Sequence, residues 1–372
     1  MSDNAPTLTS AGPVPDEDPE FVARAEAFGG RMLQIINDGF LSILISIGHQ
    51  TGLFDAMSTL PPSTSADIAR AGNVNERYVR EWLAALTVGK IIDYSPADHT
   101  YVLPPEHAAA LTRAAGPENI AAFAQYIPLA ASVESEIVEC FQHGGGVPYS
   151  KFGRFQRLMA EESAAIHDAA LIDVTITLVP GLPERLRQGI DVADMGCGSG
   201  HAINLLGREF PNSRFIGYDF SEEGVAAGRA EAQSMGVSNT RFEVRDVTNL
   251  ELSNRYDLIT AFDTIHDQAH PAQVLRGISD ALKDDGTFLM VDVRASSNLE
   301  ENMDHPLGAG LYAISTMHCM TVSLALDGDG LGTMWGEQVA TRMLREAGFT
   351  SVDIKHVDAD IFNSYYIARK TA

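Results

Sequence analysis

The sequence predicts an α/β protein in which an open, mostly parallel sheet follows an α-helical domain of winged-helix pattern. Three observations carry that reading. After Gly189 five apolar strand candidates, residues 190–194, 214–218, 241–244, 257–262 and 287–292, alternate with helical stretches, as in a sheet with crossover helices. Residues 63–103 carry two capped helices followed by two short strands. Residues 21–52 repeat apolar side chains at helical spacing. A length of 372 residues suits two domains, with room for an extra subdomain and a sizeable core.

Taken in order, residues 1–20 hold Pro6, Pro13, Pro15 and Pro19 among Asp and Glu and cannot bury enough apolar surface to fold, so a disordered tail is expected. Next, Met32, Leu33, Ile35, Ile36, Phe40, Leu41, Leu44, Ile45 and Ile47 cover much of a helix's circumference. Such a helix is expected to be buried on several sides, against a partner subunit among them. Ser63-Thr64-Ser65 caps a short helix that Gly72-Asn73 ends, and Asn75 caps a second one running to about Val88. Ile91-Ile92-Asp93-Tyr94 and Tyr101-Val102-Leu103, joined by a turn near Pro96, supply the wing. Residues 61–103 hold four basic residues (Arg70, Arg77, Arg80, Lys90) against five acidic ones, and a recognition helix without net positive charge reads DNA weakly. Residues 21–110 are therefore expected to form a winged-helix and dimerisation domain. Residues 111–180 read as a helical linker and lid, broken by a flexible Gly144-Gly145-Gly146 and Pro148, and residues 181–372 as the sheet domain.

Hydrophobic residues at 45% and charged residues at 20% exclude disorder throughout. The formal charge of −24 opposes binding to a polyanion, so nucleic acid is not expected as a partner. Cys140, Cys197 and Cys319 are odd in number and in no CxxC spacing, which indicates neither a disulfide framework nor a zinc site and fits a reducing cytoplasm. The start, Met1-Ser2-Asp3-Asn4, has no basic and apolar leader, and no uninterrupted apolar run reaches eighteen residues, so neither secretion nor a membrane span is expected.

Chemistry concentrates where the first sheet strand, ending in Asp194-Met195, runs into Gly196-Cys197-Gly198-Ser199-Gly200-His201. A dinucleotide turn of G-x-G-x-x-G type wants glycine where this chain has His201, which argues against an oxidoreductase. The glycines fall instead at 196, 198 and 200 behind Asp194. Asp219 closes the next strand nineteen residues past Gly200, where a carboxylate accepts from both hydroxyls of a ribose. Asp246 and Asp263 close the following two strands. Packing glycines and solvated strand-end acids explain any one of these features, but not all of them in this order.

The D-x-G-x-G-x-G stretch resembles motif I of class I S-adenosylmethionine-dependent methyltransferases. From Leu33 onward the chain is similar to the members with an N-terminal winged helix, plant-type small-molecule O-methyltransferases and a bacterial group often labelled transcriptional regulators. Gly52-Leu53-Phe54-Asp55, the helix of residues 75–88 and the closing Ser364-Tyr365-Tyr366-Ile367-Ala368 carry the likeness with the glycine motif. The resemblance implies a Rossmann-like seven-stranded, mostly parallel sheet, a homodimer and a small-molecule acceptor buried between domains. It also implies S-adenosylmethionine as cofactor, S-adenosylhomocysteine as product, and no metal. Asp194, Gly196, Gly198, Gly200, Asp219 with Phe220, Asp246 with Val247, and Asp263 are the implied cofactor set, Asp246 at the adenine amino group and Asp263 near the methionine part.

Thr264-Ile265-His266-Asp267-Gln268 is similar to the segment that holds the catalytic His-Asp pair of plant-type enzymes. His266 is thereby general base or acceptor-orienting group beside Asp267, although Gln268 stands where those enzymes have Trp and the acids that orient the base have no visible counterpart. An ordinary imidazole, with a pKa of about 6.5, takes a proton from a hydroxyl as it attacks a sulfonium methyl. His305, Tyr312, Met317, His318, Met320 and Trp335, in a long insertion after the fifth strand, are candidate acceptor-binding residues, or else a Met-rich core helix. His167 and Arg154 face the same cleft or pack a helix, and His270 is read as structural. The expected reaction is methyl transfer to a small-molecule oxygen, hydroxyl or carboxylate; the competing reading, a winged-helix regulator with S-adenosylmethionine or a metabolite as effector, is opposed by the charge.

Overall fold

The computed structural model describes residues 18–358 and 360–370, in two compact units, Met1–Ala108 and Ala109–Ala372. Residues 1–17 of the expected tail lie outside the described residues. The first unit opens on α1 (Pro19–Thr51), which starts two residues inside the segment read as a tail because Asp18 caps it, accepting from the Glu20 N–H at 3.0 Å, and Pro19 suits the first turn. Gly52, at φ 70°, ends it. Within one chain α1 is not buried on several sides, as expected from its apolar circumference. Only Ser46, Gly48 and His49, near its C-terminal end, are buried, while Phe28, Leu33 and Phe40 remain about two-thirds exposed. By length and composition alone α1 also suffices to cross a membrane.

The rest of the unit follows its caps. Between α2 (Leu53–Ser58) and the wing lie α3 (Ser65–Ala71), capped by Thr64, and α4 (Glu76–Val88), capped by Asn75. They pack Leu53, Phe54, Ile68, Val79, Trp82 and Leu83 into a core, and the Trp82 indole donates to the Leu44 carbonyl of α1 at 2.8 Å. β1 (Asp93–Ser95) and β2 (Thr100–Val102) form the antiparallel wing. The arginines do not face solvent as free charges: Arg70 pairs with Asp67, Arg77 with Glu81, and Arg80 with Glu76.

The second unit is built on seven strands: β3 (Asp191–Met195), β4 (Arg214–Asp219), β5 (Thr240–Val244), β6 (Tyr256–Phe262), β7 (Leu282–Val293), β8 (Ser351–Val357) and β9 (Asp360–Arg369). They are ordered β5-β4-β3-β6-β7-β9-β8, all parallel except β9. Both faces are covered, and alternate side chains of one strand feed different cores. Phe288 and Met290 of β7 join one apolar cluster with Ile259, Leu275 and Phe349, whereas Leu289 joins another with Val192, Leu206 and Phe215. The strand order reverses between β3 and β6, and in such sheets the crevice outside the carboxyl ends at that point receives ligands.

Three details depart from expectation. β7 begins at Leu282, which pairs with Tyr256 across a bulge, five residues before the apolar run. β8 at the sheet edge lies outside the five expected strands, although Val352 and Ile354 alternate with Asp353 and Lys355. The Gly144-Gly145-Gly146 segment is not simply a flexible break: a Cβ on Gly146 would stand 2.0 Å from the Thr321 carbonyl, and the next N–H, of Val147, donates to Thr321 Oγ1 at 2.8 Å. Glycine there lets the helical segment close on the insertion after β7.

Candidate active site

The glycine turn at the end of β3 divides its labour. Gly196, Gly198 and Gly200 all lie at positive φ (69°, 53° and 73°), where a side chain is strained. A Cβ on Gly196 would lie 2.2 Å from Thr264 and one on Gly200 2.2 Å from the Phe242 ring, so these two also serve packing. Around Gly198 the space is open, and its N–H donates to Asp219 Oδ2 at 2.8 Å. The other oxygen of Asp219 accepts from the Ser221 N–H at 2.8 Å, so each oxygen keeps a lone pair. Burial pushes the Asp219 carboxyl up. Phe220, beside it, is exposed and meets Tyr149 edge-on.

The other acids of the set differ in setting. Asp194 is buried, accepts from Thr260 Oγ1 at 2.7 Å and is pushed up to about 7 by burial. Asp246 is exposed past the end of β5, where it caps the turn of the buried Val247 by accepting from the Thr248 N–H. Asp263, at φ 49°, follows β6; its Oδ1 is shielded and unpartnered, and burial, with Asp292 beside it, pushes it up to about 7. An open glycine, a carboxylate with free lone pairs and an orphaned buried acid suit a nucleoside that carries a cationic amino-acid part. Among the described residues no group of three or more His, Cys, Asp or Glu is arranged to hold a metal ion.

Thr264 Oγ1 donates to the Gly196 carbonyl at 3.3 Å and ties the turn after β6 to the glycine turn. Two residues on, His266 is buried, with Nδ1 2.8 Å from Asp292 Oδ1. The same oxygen accepts from the Val293 N–H at 2.8 Å and the Trp335 indole at 3.2 Å, while Asp292 Oδ2 has no partner. Burial alone lowers an imidazole, but Asp292, with the neighbouring Cys319 thiol, overrides it and holds His266 well above its ordinary range. Asp267 lies alongside, pushed up to about 6 by burial. Asp292 thus fixes the orientation of the His266 ring, a pairing that the sequence did not reveal. Its signal was an aspartate at the carboxyl end of the apolar β7, the same position logic as Asp219 and Asp263.

The acceptor candidates separate. His305 Nδ1 accepts from the Leu307 N–H at 3.2 Å and Nε2 donates to the Arg294 carbonyl at 3.1 Å, so both ring nitrogens bond the backbone. Tyr312 accepts from Asn302 and packs near Leu311 and Met334. Trp335 is buried in the core, and its indole donates to Asp292. Met317 and His318, in a π-helical turn (Ser315–Cys319), do line a pocket with Phe152 and Phe155. Met320 opens the following helix, Met320–Leu324. His167, on the helix Phe155–Ala170, sits edge-on to Phe262 and is held down to about 4 by burial, and Arg154 reaches Gln125 at 3.5 Å. His270 is exposed at the start of the helix Pro271–Ala281. Glu162, not foreseen, accepts from the Tyr126 hydroxyl at 2.5 Å and is pushed up by burial.

Residues 39–113 match the Rv2258c-like winged HTH domain, and residues 186–348 match a family described as methyltransferase domain. The chain carries a methyltransferase domain behind a winged-helix one. A malonyl-[acyl-carrier protein] O-methyltransferase of Bacillus cereus is 28% identical over 40% of this chain and 49% of its own length, so the chain spans about half the length of that curated relative. The methyltransferase fold extends through solved structures. A putative O-methyltransferase from Nostoc punctiforme superposes with a TM-score of 0.70 at 18% identity, covering 91% of this chain and 98% of its own. Human N-acetylserotonin methyltransferase, solved in complex with S-adenosylmethionine, gives 0.63 at 16% identity over 96% and 99%.

Proposed function

We propose that this protein transfers a methyl group from S-adenosylmethionine to an oxygen of a small-molecule acceptor. The observation that carries the reading is the buried His266–Asp292 pair, tied through Thr264 to the glycine turn. When bound, the cofactor supplies a sulfonium-activated methyl open to in-line attack. Gly198 leaves room for it, Asp219 offers its lone pairs to ribose hydroxyls, Asp246 lies exposed for the adenine edge, and the orphaned Asp263 oxygen meets the ammonium. His266, with Nδ1 committed to Asp292, has its other nitrogen to take an acceptor's proton or to donate to an acceptor carboxylate. Because Asp292 favours the charged ring, the base form grows in only on the alkaline side of the ordinary imidazole range. The uncovered apolar side of α1 supports a homodimer, and residues 111–180 are proposed to act as the lid.

Incubation with methyl-labelled S-adenosylmethionine and a metabolite extract, followed by identification of the labelled product, tests the reading. A labelled O-methyl product is expected. No labelled product, together with no calorimetric binding of S-adenosylhomocysteine, refutes it.

A further inference from the structure

The glycine-rich run Gly328–Gly332, in the insertion after β7, hydrogen-bonds the turn that carries His266. The Gly332 N–H donates to the His266 carbonyl at 3.2 Å and the Asp329 N–H to the Ala269 carbonyl at 2.8 Å. Between them Ser323, fully buried, donates its hydroxyl to the Gln268 carbonyl at 3.0 Å and accepts from the Gly330 N–H at 3.1 Å. The approach is too close for side chains: a Cβ on Gly328 would stand 2.5 Å from the Ala269 carbonyl oxygen, and one on Gly332 2.1 Å from Ser315 Oγ. A few residues past Gly332, the Trp335 indole donates to Asp292 Oδ1 at 3.2 Å. One short stretch thus holds both His266 and the carboxylate it pairs with.

Ser323 lies on the helix Met320–Leu324, which also receives the segment around Gly146. There Thr321 Oγ1 accepts from the Val147 N–H at 2.8 Å, and the missing Cβ of Gly146 lets the chain approach the Thr321 carbonyl. Just beyond Val147, Tyr149 meets Phe220, the neighbour of Asp219, edge-on at 5.4 Å. So short a helix moves as one body, and a shift at Thr321 is carried to Ser323.

We propose that Ser323 is a positioning residue for His266 and that, through Thr321 on the same helix, it couples the seating of residues 144–149 to the placement of the His266–Asp292 pair. The inference deepens the methyl-transfer reading and rests on it for the role of His266 as base. The base is held in place as the segment beside Phe220 is seated.

Backbone amide exchange and histidine-ring titration, both followed by NMR on the full chain, test the coupling. Ser323→Ala is expected to speed exchange at Asp329 and Gly332 roughly tenfold, the scale of one lost hydrogen bond. It is also expected to bring the His266 ring, assigned with His266→Gln, down from its raised titration toward the ordinary range as its fit to Asp292 loosens. The charged or titratable groups facing the ring, Asp263, Asp267, Asp292, Cys319 and His318, are kept in that variant, so the change reads position. Thr321→Val, which nearly keeps the shape and loses the oxygen, is expected to speed exchange at Val147 and, through the helix, at Asp329 and Gly332. An unmoved His266 titration in Ser323→Ala, or a Thr321→Val effect confined to Val147, overturns the proposal. So does a rise shared evenly by the strand amides of the sheet, which marks the hydroxyls as structural only. Calorimetry with S-adenosylhomocysteine on the native chain keeps the two readings apart: no cofactor binding, with the exchange pattern as expected, sinks the methyl-transfer reading and leaves the coupling standing.

Discussion

Asp292→Asn isolates what the carboxylate does to His266. All three donors around Asp292, the His266 ring, the Val293 N–H and the Trp335 indole, converge on Oδ1, and none reaches Oδ2. An asparagine that keeps its oxygen at the Oδ1 position preserves every bond and removes the charge, at the cost of an amide NH2 where Oδ2 has no partner. Two unit charges about 4 Å apart attract by about 4 kcal/mol at an effective dielectric of about 20, an upper figure because both ions are desolvated. With the charge gone, burial alone acts on the ring, and burial lowers an imidazole. The kcat–pH inflection of a hydroxyl acceptor is therefore expected to move to lower pH, and kcat to fall by roughly 10–10³-fold, less than the full general-base contribution of about 10²–10⁴-fold. Stability follows the same sign. The pair's raised folded value gives stability that is fully present below the ordinary imidazole pKa of about 6.5 and is lost as pH rises through the raised one, and the variant flattens that loss. Imidazole NMR titration checks the ring directly. A native ring that titrates at its ordinary value, or an inflection that Asp292→Asn does not move, refutes the argument.

His266→Ala is expected to lower kcat by about 10²–10⁴-fold with S-adenosylhomocysteine affinity intact by calorimetry; unchanged kcat and KM make the residue structural. Asp219→Ala should weaken cofactor binding by roughly 1–3 kcal/mol, because ribose hydroxyls and the Gly198 N–H lose their acceptor; unchanged affinity removes Asp219 from the site. Asp194, raised to about 7 in the fold, contributes stability below the ordinary carboxyl range of about 4 that is lost as pH rises through 7, so Asp194→Asn should gain on the order of 2–4 kcal/mol at pH 8 and little at pH 4, as urea melts at both pH values read out. The winged-helix unit should give no sequence-selective mobility shift at low salt, because Arg70, Arg77 and Arg80 are paired within it. Selective retardation would show that those pairs open for DNA.

How much of this was legible depended on whether a signal was local. The caps at Thr64 and Asn75, the alternating strands and the glycine turn are short-range features, and each stands where the periodicity and cap chemistry put it. What the residues alone hid was longer in range. His266 and Asp292 are 26 positions apart, and nothing in the local pattern says that a strand-end aspartate faces that ring rather than solvent. His305 and Trp335 are the converse case: residue types that suggested an acceptor site are taken up by a backbone carbonyl and by Asp292. The glycine motif does more than leave room for a ligand. Gly196 lacks a Cβ because Thr264 stands where that atom would be, and the Thr264 hydroxyl then bonds the Gly196 carbonyl. Thr264 is two residues before His266. The glycine therefore lets the turn after β6 close against the turn after β3, so that the surface suited to the cofactor and the ring suited to take the acceptor's proton are set by one contact. A side chain at position 196 would displace both together, so a motif that reads as a binding signal also sets where the proposed base stands.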